Sequence, residues 1–367
     1  MKERIFTTPE GVRDIYNDCA SKLELQDRLK KICHLYGYKD IETPSFEYFE
    51  VFSEERGTVK AKNMYKFFDR DGNTLVFRPD MTPSIARFAA KTFKDSNLPV
   101  RLCYCGNTFV NNNEYQGKQK ESTQLGCELI NDGSPSADAE MLAVTIESLL
   151  ASGLKDFRLD VGEVKFFKAL VNEAGLDEEK TEELRHFIMD KNSFGLEDFL
   201  KEENVSDELK LLFAKIPQLF GGADSLAQIK KLTKNADALA AVEHLEKLYE
   251  LMKAYGYERY VGFDLGMLSK YGYYTGIIFN AFTYDIGDAV ASGGRYDKLI
   301  GQFGKEAPAV GMAIVTDKLL LALTRQGLIE KSEAECETVK VENNDYAAAI
   351  KKAQAIRVQG RAAVIAE

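Results

Sequence analysis

Surplus positive charge is what this sequence most plainly lacks. Its 367 residues carry 48 Lys and Arg against 58 Asp and Glu, a net charge of −10 with histidine neutral. A general nucleic-acid surface needs excess cations to neutralise phosphates, so no nucleic-acid partner is expected. Cysteines are few and lack ligand spacing: Cys19, Cys33, Cys103, Cys105, Cys127 and Cys336. Cys103 and Cys105 share a face of an expected strand, but no second Cys or His pair accompanies them, so no metal is expected. Scattered thiols of this kind fit a reducing compartment. The N-terminus, MKERIFTTPEGVRDI, is polar, and no apolar run is long enough to span a bilayer. The expectation is a soluble, cytoplasmic protein with no membrane contact. No period of 20–50 residues repeats, and no segment is of low complexity.

A hydrophobic content of 45% supports a sizeable core, and the length suits two or more domains. The chain is organised around residues 101–131, RLCYCGNTFVNNNEYQGKQKESTQLGCELIN, which read as strand, polar loop and strand. Gln124 and Glu128 are four apart on the return strand and share a face. Upstream, Leu23, Leu25, Leu29, Ile32 and Cys33 mark an amphipathic helix over 21–36, followed by a strand at 39–44. Residues 64–77 predict a hairpin around Asp71-Gly72. Arg78-Pro79-Asp80-Met81-Thr82 then turns into a helix, with Thr82 as N-cap and Pro83 at the first helical position. A helix is expected over 136–152 and a strand over 157–161. Residues 163–255 predict an inserted helical subdomain of four or five helices, with His186 and His244 as surface residues. Strands with glycine turns resume at Tyr260, including a glycine hairpin at 291–300, and the tail over 337–367 reads strand–helix–strand. Tyr346, Ile350, Ala353 and Ile356 are expected to share one face of its helix.

The central stretch resembles the second signature motif of class II aminoacyl-tRNA synthetases of the histidyl type, which reads G-x-x-Phe-Arg-x-Glu, a loop, then Gln-Leu-Gly-Cys-Glu. Gly106, Phe109 and the block Gln124–Glu128 match, whereas Val110 stands in the arginine's place and Asn112 in the glutamate's. The helix and strand over 21–44 resemble the first motif, a dimer interface in that family. Tyr273-Tyr274-Thr275-Gly276 and Ser292-Gly293-Gly294-Arg295-Tyr296-Asp297 strengthen the histidyl resemblance. The implied fold is α+β: an antiparallel sheet flanked by helices over residues 1–325, the insert at 163–255, and a short α/β segment over 326–367 in place of a complete anticodon-binding domain.

Activating an amino acid with ATP calls for guanidinium groups at the reacting phosphate, because their planar fork stays charged. The family uses three arginines, and here those positions hold Val110, Ser269 and Lys318. At about 3 kcal/mol of transition-state stabilisation each, their joint loss is large even without additivity. Synthetase catalysis is expected to be lost, leaving no catalytic residue and no cofactor.

The amino-acid side is better kept. By the resemblance, Asp80, Thr82 and Gln124 hold the α-amino group, while Glu128 and Tyr274, with Tyr273 beside them, hold the imidazole. A carboxylate and a phenol together suit a ring that donates at one nitrogen and accepts at the other. The same residues also read as turn formers, a helix cap and sheet positions. Asp80 is one methylene shorter than the family's glutamate.

A histidyl-synthetase-like core without its arginines looks like the regulatory subunit of ATP phosphoribosyltransferase. That resemblance implies a non-catalytic protein that activates the short-form catalytic subunit in the first step of histidine biosynthesis. It also implies feedback by L-histidine and a homodimer within a hetero-octamer. Two other readings stay open: a stand-alone synthetase paralogue that binds histidine, and a histidine–tRNA ligase.

Overall fold

In the computed structural model, residues 5–52, 59–112, 119–268, 273–329 and 336–367 are described. They form two compact units, Met1–Leu328 and Ile329–Glu367.

The amphipathic N-terminal stretch forms α1 (Cys19–Leu35), whose Leu25, Leu29 and Cys33 recur every four residues and are buried. Residues 7–16 form no helix ahead of it. Gly37, at φ +81°, takes the left-handed conformation that lets the chain leave the helix. The strand expected after it is only two residues long, β1 (Lys39–Asp40). A small antiparallel sheet follows, built of β2 (Phe46–Tyr48), β3 (Lys66–Phe68) and β4 (Thr74–Phe77). The turn between β3 and β4 is stapled by Asp69, whose carboxylate accepts from the backbone N–H of Asp71 and Asn73.

Next come α2 (Thr82–Thr92), the long hairpin of β5 (Val100–Phe109) and β6 (Glu121–Ile130), α3 (Pro135–Ala151) and β7 (Phe157–Glu163). Thr82 does not cap α2. It is the first helical residue, and Met81 precedes it without a side-chain cap. Pro83 lies at the N-terminal end, where a missing N–H costs nothing.

The insert holds six α-helices among the described residues, where four or five were expected. They are α4 (Val164–Ala174), α5 (Glu178–Met189), α6 (Ser193–Glu202), α7 (Asp207–Lys215), α8 (Ala223–Ile229) and α9 (Ala236–Tyr255). The extra helix arises because the polar breaks are also caps: Asn192, Ser206 and Asn235 each accept from a backbone N–H three residues on. The insert also returns a two-residue strand, β8 (Phe220–Gly221), to the sheet edge.

The chain then forms β9 (Val261–Asp264), β10 (Ile277–Thr283), β11 (Ala291–Arg295), β12 (Ala309–Val315) and α10 (Thr316–Arg325). The expected glycine hairpin at 291–300 is instead strand β11 followed by a 3-10 turn at Ile300–Phe303. Its glycines let neighbouring strands and rings approach: a Cβ at Gly293 would overlap the Gly311 carbonyl and the Phe279 ring.

The main sheet has nine strands in the order β1-β5-β6-β12-β11-β10-β7-β9-β8. It is mixed, because β1 pairs with β5 and β7 with β9 in parallel while the other neighbours are antiparallel. Helices α1, α3 and α10 cover one face. On the other, α2 packs with Leu102, Tyr104 and Ile130 of the hairpin and with Tyr273, Tyr296 and Leu299. Among the described residues, no helix is long and apolar enough to cross a membrane.

The second unit is β13 (Cys336–Lys340), α11 (Tyr346–Val358) and β14 (Ala362–Ala366), its two strands parallel. Its core is Val339, Ala349, Ala353, Ile356 and Ala363. Of the four residues expected on one helical face, Ala353 and Ile356 are buried, whereas Tyr346 and Ile350 are 47% and 44% exposed. The two strands meet the helix along Ala349, Ala353 and Ile356, whose small side chains at Ala349 and Ala353 allow close approach.

Candidate functional site

Even-numbered residues of β6 point to the α2 face of the sheet, so Gln124 and Glu128 stand side by side there. Strand β12 pairs alongside, with Gly311 opposite Glu128. The turn into α2 brings Asp80 and Thr82 over the same spot, and the segment before β10 brings Tyr273 and Tyr274. All six residues expected from the sequence line one cavity of about 200 Å³. A larger, open groove of about 780 Å³ between Lys155, Arg158, Arg259 and Tyr284 contains none of them.

Glu128 is the centre of the cavity and is 1% exposed. Its Oε1 accepts from Thr82 Oγ1 at 3.0 Å and from Tyr104 Oη at 3.5 Å, and its Oε2 accepts from Tyr296 Oη at 2.5 Å. Burial pushes the carboxyl up to about 8, against the pull of the hydrogen bonds from Tyr296 and Thr82 and with help from the charge of Asp80. The Tyr296 phenol is raised well above its ordinary value, by burial first and then by Glu128. The Thr82 hydroxyl thus serves the carboxyl and not the helix end.

Asp80 accepts from the Met81 backbone N–H at 2.7 Å, which fixes its side chain at the rim. Gln124 Oε1 is buried without a hydrogen-bond partner among the described residues. An orphaned amide oxygen in a polar cavity is a ready acceptor for an ammonium or imidazole N–H. The rings of Tyr273 and Tyr274 lie 4.6 Å apart, and Tyr273 meets Tyr296 edge-on at 6.0 Å. Two carboxyls, an amide oxygen and three phenols make a site for a cationic, hydrogen-bonding ligand.

The side of the cavity that the resemblance assigns to a nucleotide differs. Val110, in the arginine position of the second motif, lines the cavity with an apolar side chain. Lys318, another of the three positions where the synthetase family has arginine, turns to the surface and pairs with Asp288 at 3.0 Å. Ser269, Lys270 and Gly272 lie outside the described residues, as do residues 113–118 of the hairpin loop. Among the described lining residues there is no arginine or lysine.

Tyr296 was missed as a site residue although it lies in the Ser292–Asp297 block. Its burial against Glu128 depends on β11 lying two strands from β6, which spacing alone does not reveal. His244 was also misjudged. Far from being an ordinary surface residue, it bridges buried Asp138, at 3.2 Å, and buried Glu163, at 2.9 Å.

On the opposite face of β5, His34, Asp40 and Cys103 hold potential ligand atoms within 4.8 Å of one another. Asp40 already pairs with Lys30 at 3.1 Å, and burial pushes the Cys103 thiol up to about 12. These groups read as an ion-pair cluster between helix and sheet.

A family model described as histidyl-tRNA synthetase matches residues 11–319. The ATP phosphoribosyltransferase regulatory subunit of Acetivibrio thermocellus is 42% identical over 327 residues, 89% of this chain and 78% of that protein. Its namesake from Thermoanaerobacter pseudethanolicus is 38% identical, covering 96% of this chain and 92% of that one. Among solved structures, an ATP phosphoribosyltransferase regulatory subunit/histidyl-tRNA synthetase from Bacillus halodurans superposes with a TM-score of 0.88 at 34% identity, covering 98% of this chain and 92% of the other.

Proposed function

Since the chain belongs to the family of ATP phosphoribosyltransferase regulatory subunits, with a histidyl-tRNA synthetase-like fold, we propose that it activates a short-form catalytic subunit and carries feedback by L-histidine. It is a non-catalytic regulatory subunit of histidine biosynthesis. In our reading Asp80, Thr82 and Gln124 receive the α-amino group, and Glu128, Tyr273 and Tyr274 the imidazole. The observation that carries this is the buried Glu128 carboxyl, held by Thr82 and Tyr296 in a cavity whose nucleotide side is apolar Val110. Such a pocket can bind an amino acid, and its described lining offers no cation to stabilise a five-coordinate phosphate.

The domain reading follows: residues 1–325 form the synthetase-like core with the insert at 163–255, and residues 326–367 form a C-terminal α/β segment. The assembly is a homodimer within a hetero-octamer in the cytoplasm. Histidine would act by binding one assembly state better than another, with a coupling of about 1–3 kcal/mol.

The test is to mix this protein with a short-form ATP phosphoribosyltransferase, assay phosphoribosyl-ATP formation and titrate histidine. Activity that appears only in the mixture and falls with histidine supports the reading. Absence of activation rejects the subunit role and returns the chain to the stand-alone paralogue.

A further inference from the structure

The insert reaches the pocket through a buried chain of charges. Arg295, the last residue of β11, is 3% exposed and points away from the cavity that its neighbour Tyr296 lines. Its guanidinium donates to Asp138 of α3, with Nε at 2.8 Å and Nη2 at 2.7 Å from Oδ1. It also donates to the carbonyl of Asp132 at 3.1 Å and to Asp297 at 3.1 Å. The other oxygen of Asp138 meets His244 Nε2 of α9 at 3.2 Å. His244 Nδ1 meets Glu163 Oε2 at 2.9 Å, and Glu163 Oε1 accepts from the Lys165 backbone N–H as the N-cap of α4. The N-terminus of α4, the insert's first helix, and the middle of α9, its last, therefore meet on one network.

At its other end the network grips the pocket. The Arg295 carbonyl accepts from the Thr275 N–H at 2.8 Å, and Thr275 Oγ1 accepts from the Asp297 N–H at 2.9 Å. Thr275 directly follows the Tyr273-Tyr274 pair, so Arg295 lies between the two pieces of chain that supply the cavity's three lining phenols. Asp138 and Glu163 are two buried carboxylates, and one guanidinium cannot balance both. A cationic His244 completes the neutralisation, as a buried charge requires.

We propose that His244 is a positioning residue for the pocket, and that the helical insert responds to occupancy of the cavity through His244, Asp138 and Arg295. The geometry makes this a two-way linkage: a ligand that orders Tyr273, Tyr274 and Tyr296 fixes Arg295, and with it the N-terminus of α4 and the middle of α9. The inference rests on the reading that the cavity takes histidine.

The experiment measures L-histidine binding by calorimetry and hydrogen exchange of residues 236–255 with and without histidine. It compares wild type with His244→Gln, which is neutral, and His244→Arg, which restores a cation. In wild type, histidine is expected to slow exchange in α9, although no residue of α9 lines the cavity. His244→Gln is expected to weaken binding about five- to tenfold and to abolish the change in α9, with partial rescue in His244→Arg. A merely structural role would lower the melting temperature but leave affinity and the α9 response intact, and that result overturns the proposal. Failure of the wild type to bind histidine would overturn the histidine reading first and this inference with it. Normal binding by wild type and His244→Gln alike would overturn this inference alone.

Discussion

Tyr296 Oη lies 2.5 Å from Glu128 Oε2, and this contact closes the floor of the cavity. Removing the phenol's hydroxyl in Tyr296→Phe leaves a buried carboxyl oxygen short of a donor while the ring still fills its place. The expected cost is about 1–3 kcal/mol in urea unfolding, with histidine binding weakened in calorimetry. Unchanged affinity would remove Tyr296 from the site.

The pH dependence has a definite sign. Glu128 is raised from 4.5 to about 8, so the folded protein holds its proton where the unfolded chain has released it. Its stabilising contribution is complete below pH 4.5 and is lost as pH climbs through about 8. His244 is raised from 6.5 to about 9: burial opposes the rise, and the hydrogen bonds to Asp138 and Glu163 outweigh it. Its contribution is complete below pH 6.5 and is lost as pH rises through about 9. The melting temperature should therefore fall from pH 6 to pH 9, each group contributing at most about 1.4 kcal/mol per pH unit within its window. Glu128→Gln should flatten the lower part of that slope.

A cationic ligand favours the ionised form of Glu128. Histidine binding near pH 7 should then release protons, read as a dependence of the calorimetric enthalpy on the buffer's ionisation enthalpy. A buffer-independent enthalpy would place Glu128 outside the binding event.

Gly311 sits opposite Glu128 on β12, and a Cβ there would overlap the Glu128 carboxylate. Gly311→Ala should displace Glu128, abolish histidine binding and lower stability by about 1–3 kcal/mol. A crystal structure of the variant with Glu128 unmoved would refute the account.

The Asp138–Arg295 pair is buried on both sides, at 1% and 4% side-chain exposure. Arg295→Leu strands Asp138 with His244 as its remaining cationic partner, and unfolding should cost about 3–5 kcal/mol less. By contrast, Lys201→Ala breaks an exposed pair with Asp198 and should leave the melting temperature essentially unchanged.

Much of the site was legible because its residues sit in contiguous blocks: Asp80 and Thr82 in one turn, Gln124 and Glu128 on one strand, Tyr273 and Tyr274 together. A period of two places Gln124 and Glu128 on one face whatever the rest of the chain does. Thr82 shows the limit of local reading. Its position before Pro83 suggests a cap, yet a buried carboxyl 46 residues away in the chain takes its hydroxyl. His244 shows it again, since a histidine among helical charges looks solvated until Asp138 and Glu163 arrive from 106 and 81 residues away in the sequence.

By itself, the sequence determined most of the elements, the absence of arginine at Val110 and Lys318, and the residue types of an acidic, phenol-rich pocket. These follow from local periodicity and from side-chain chemistry, which a linear chain already carries. Tertiary structure alone decided that Tyr296 holds Glu128, that the carboxyl's affinity for its proton is raised, and that Arg295 and His244 tie the insert to the pocket. Burial and hydrogen bonding between distant segments set those properties, and neither exists until the strands are paired and the helices packed.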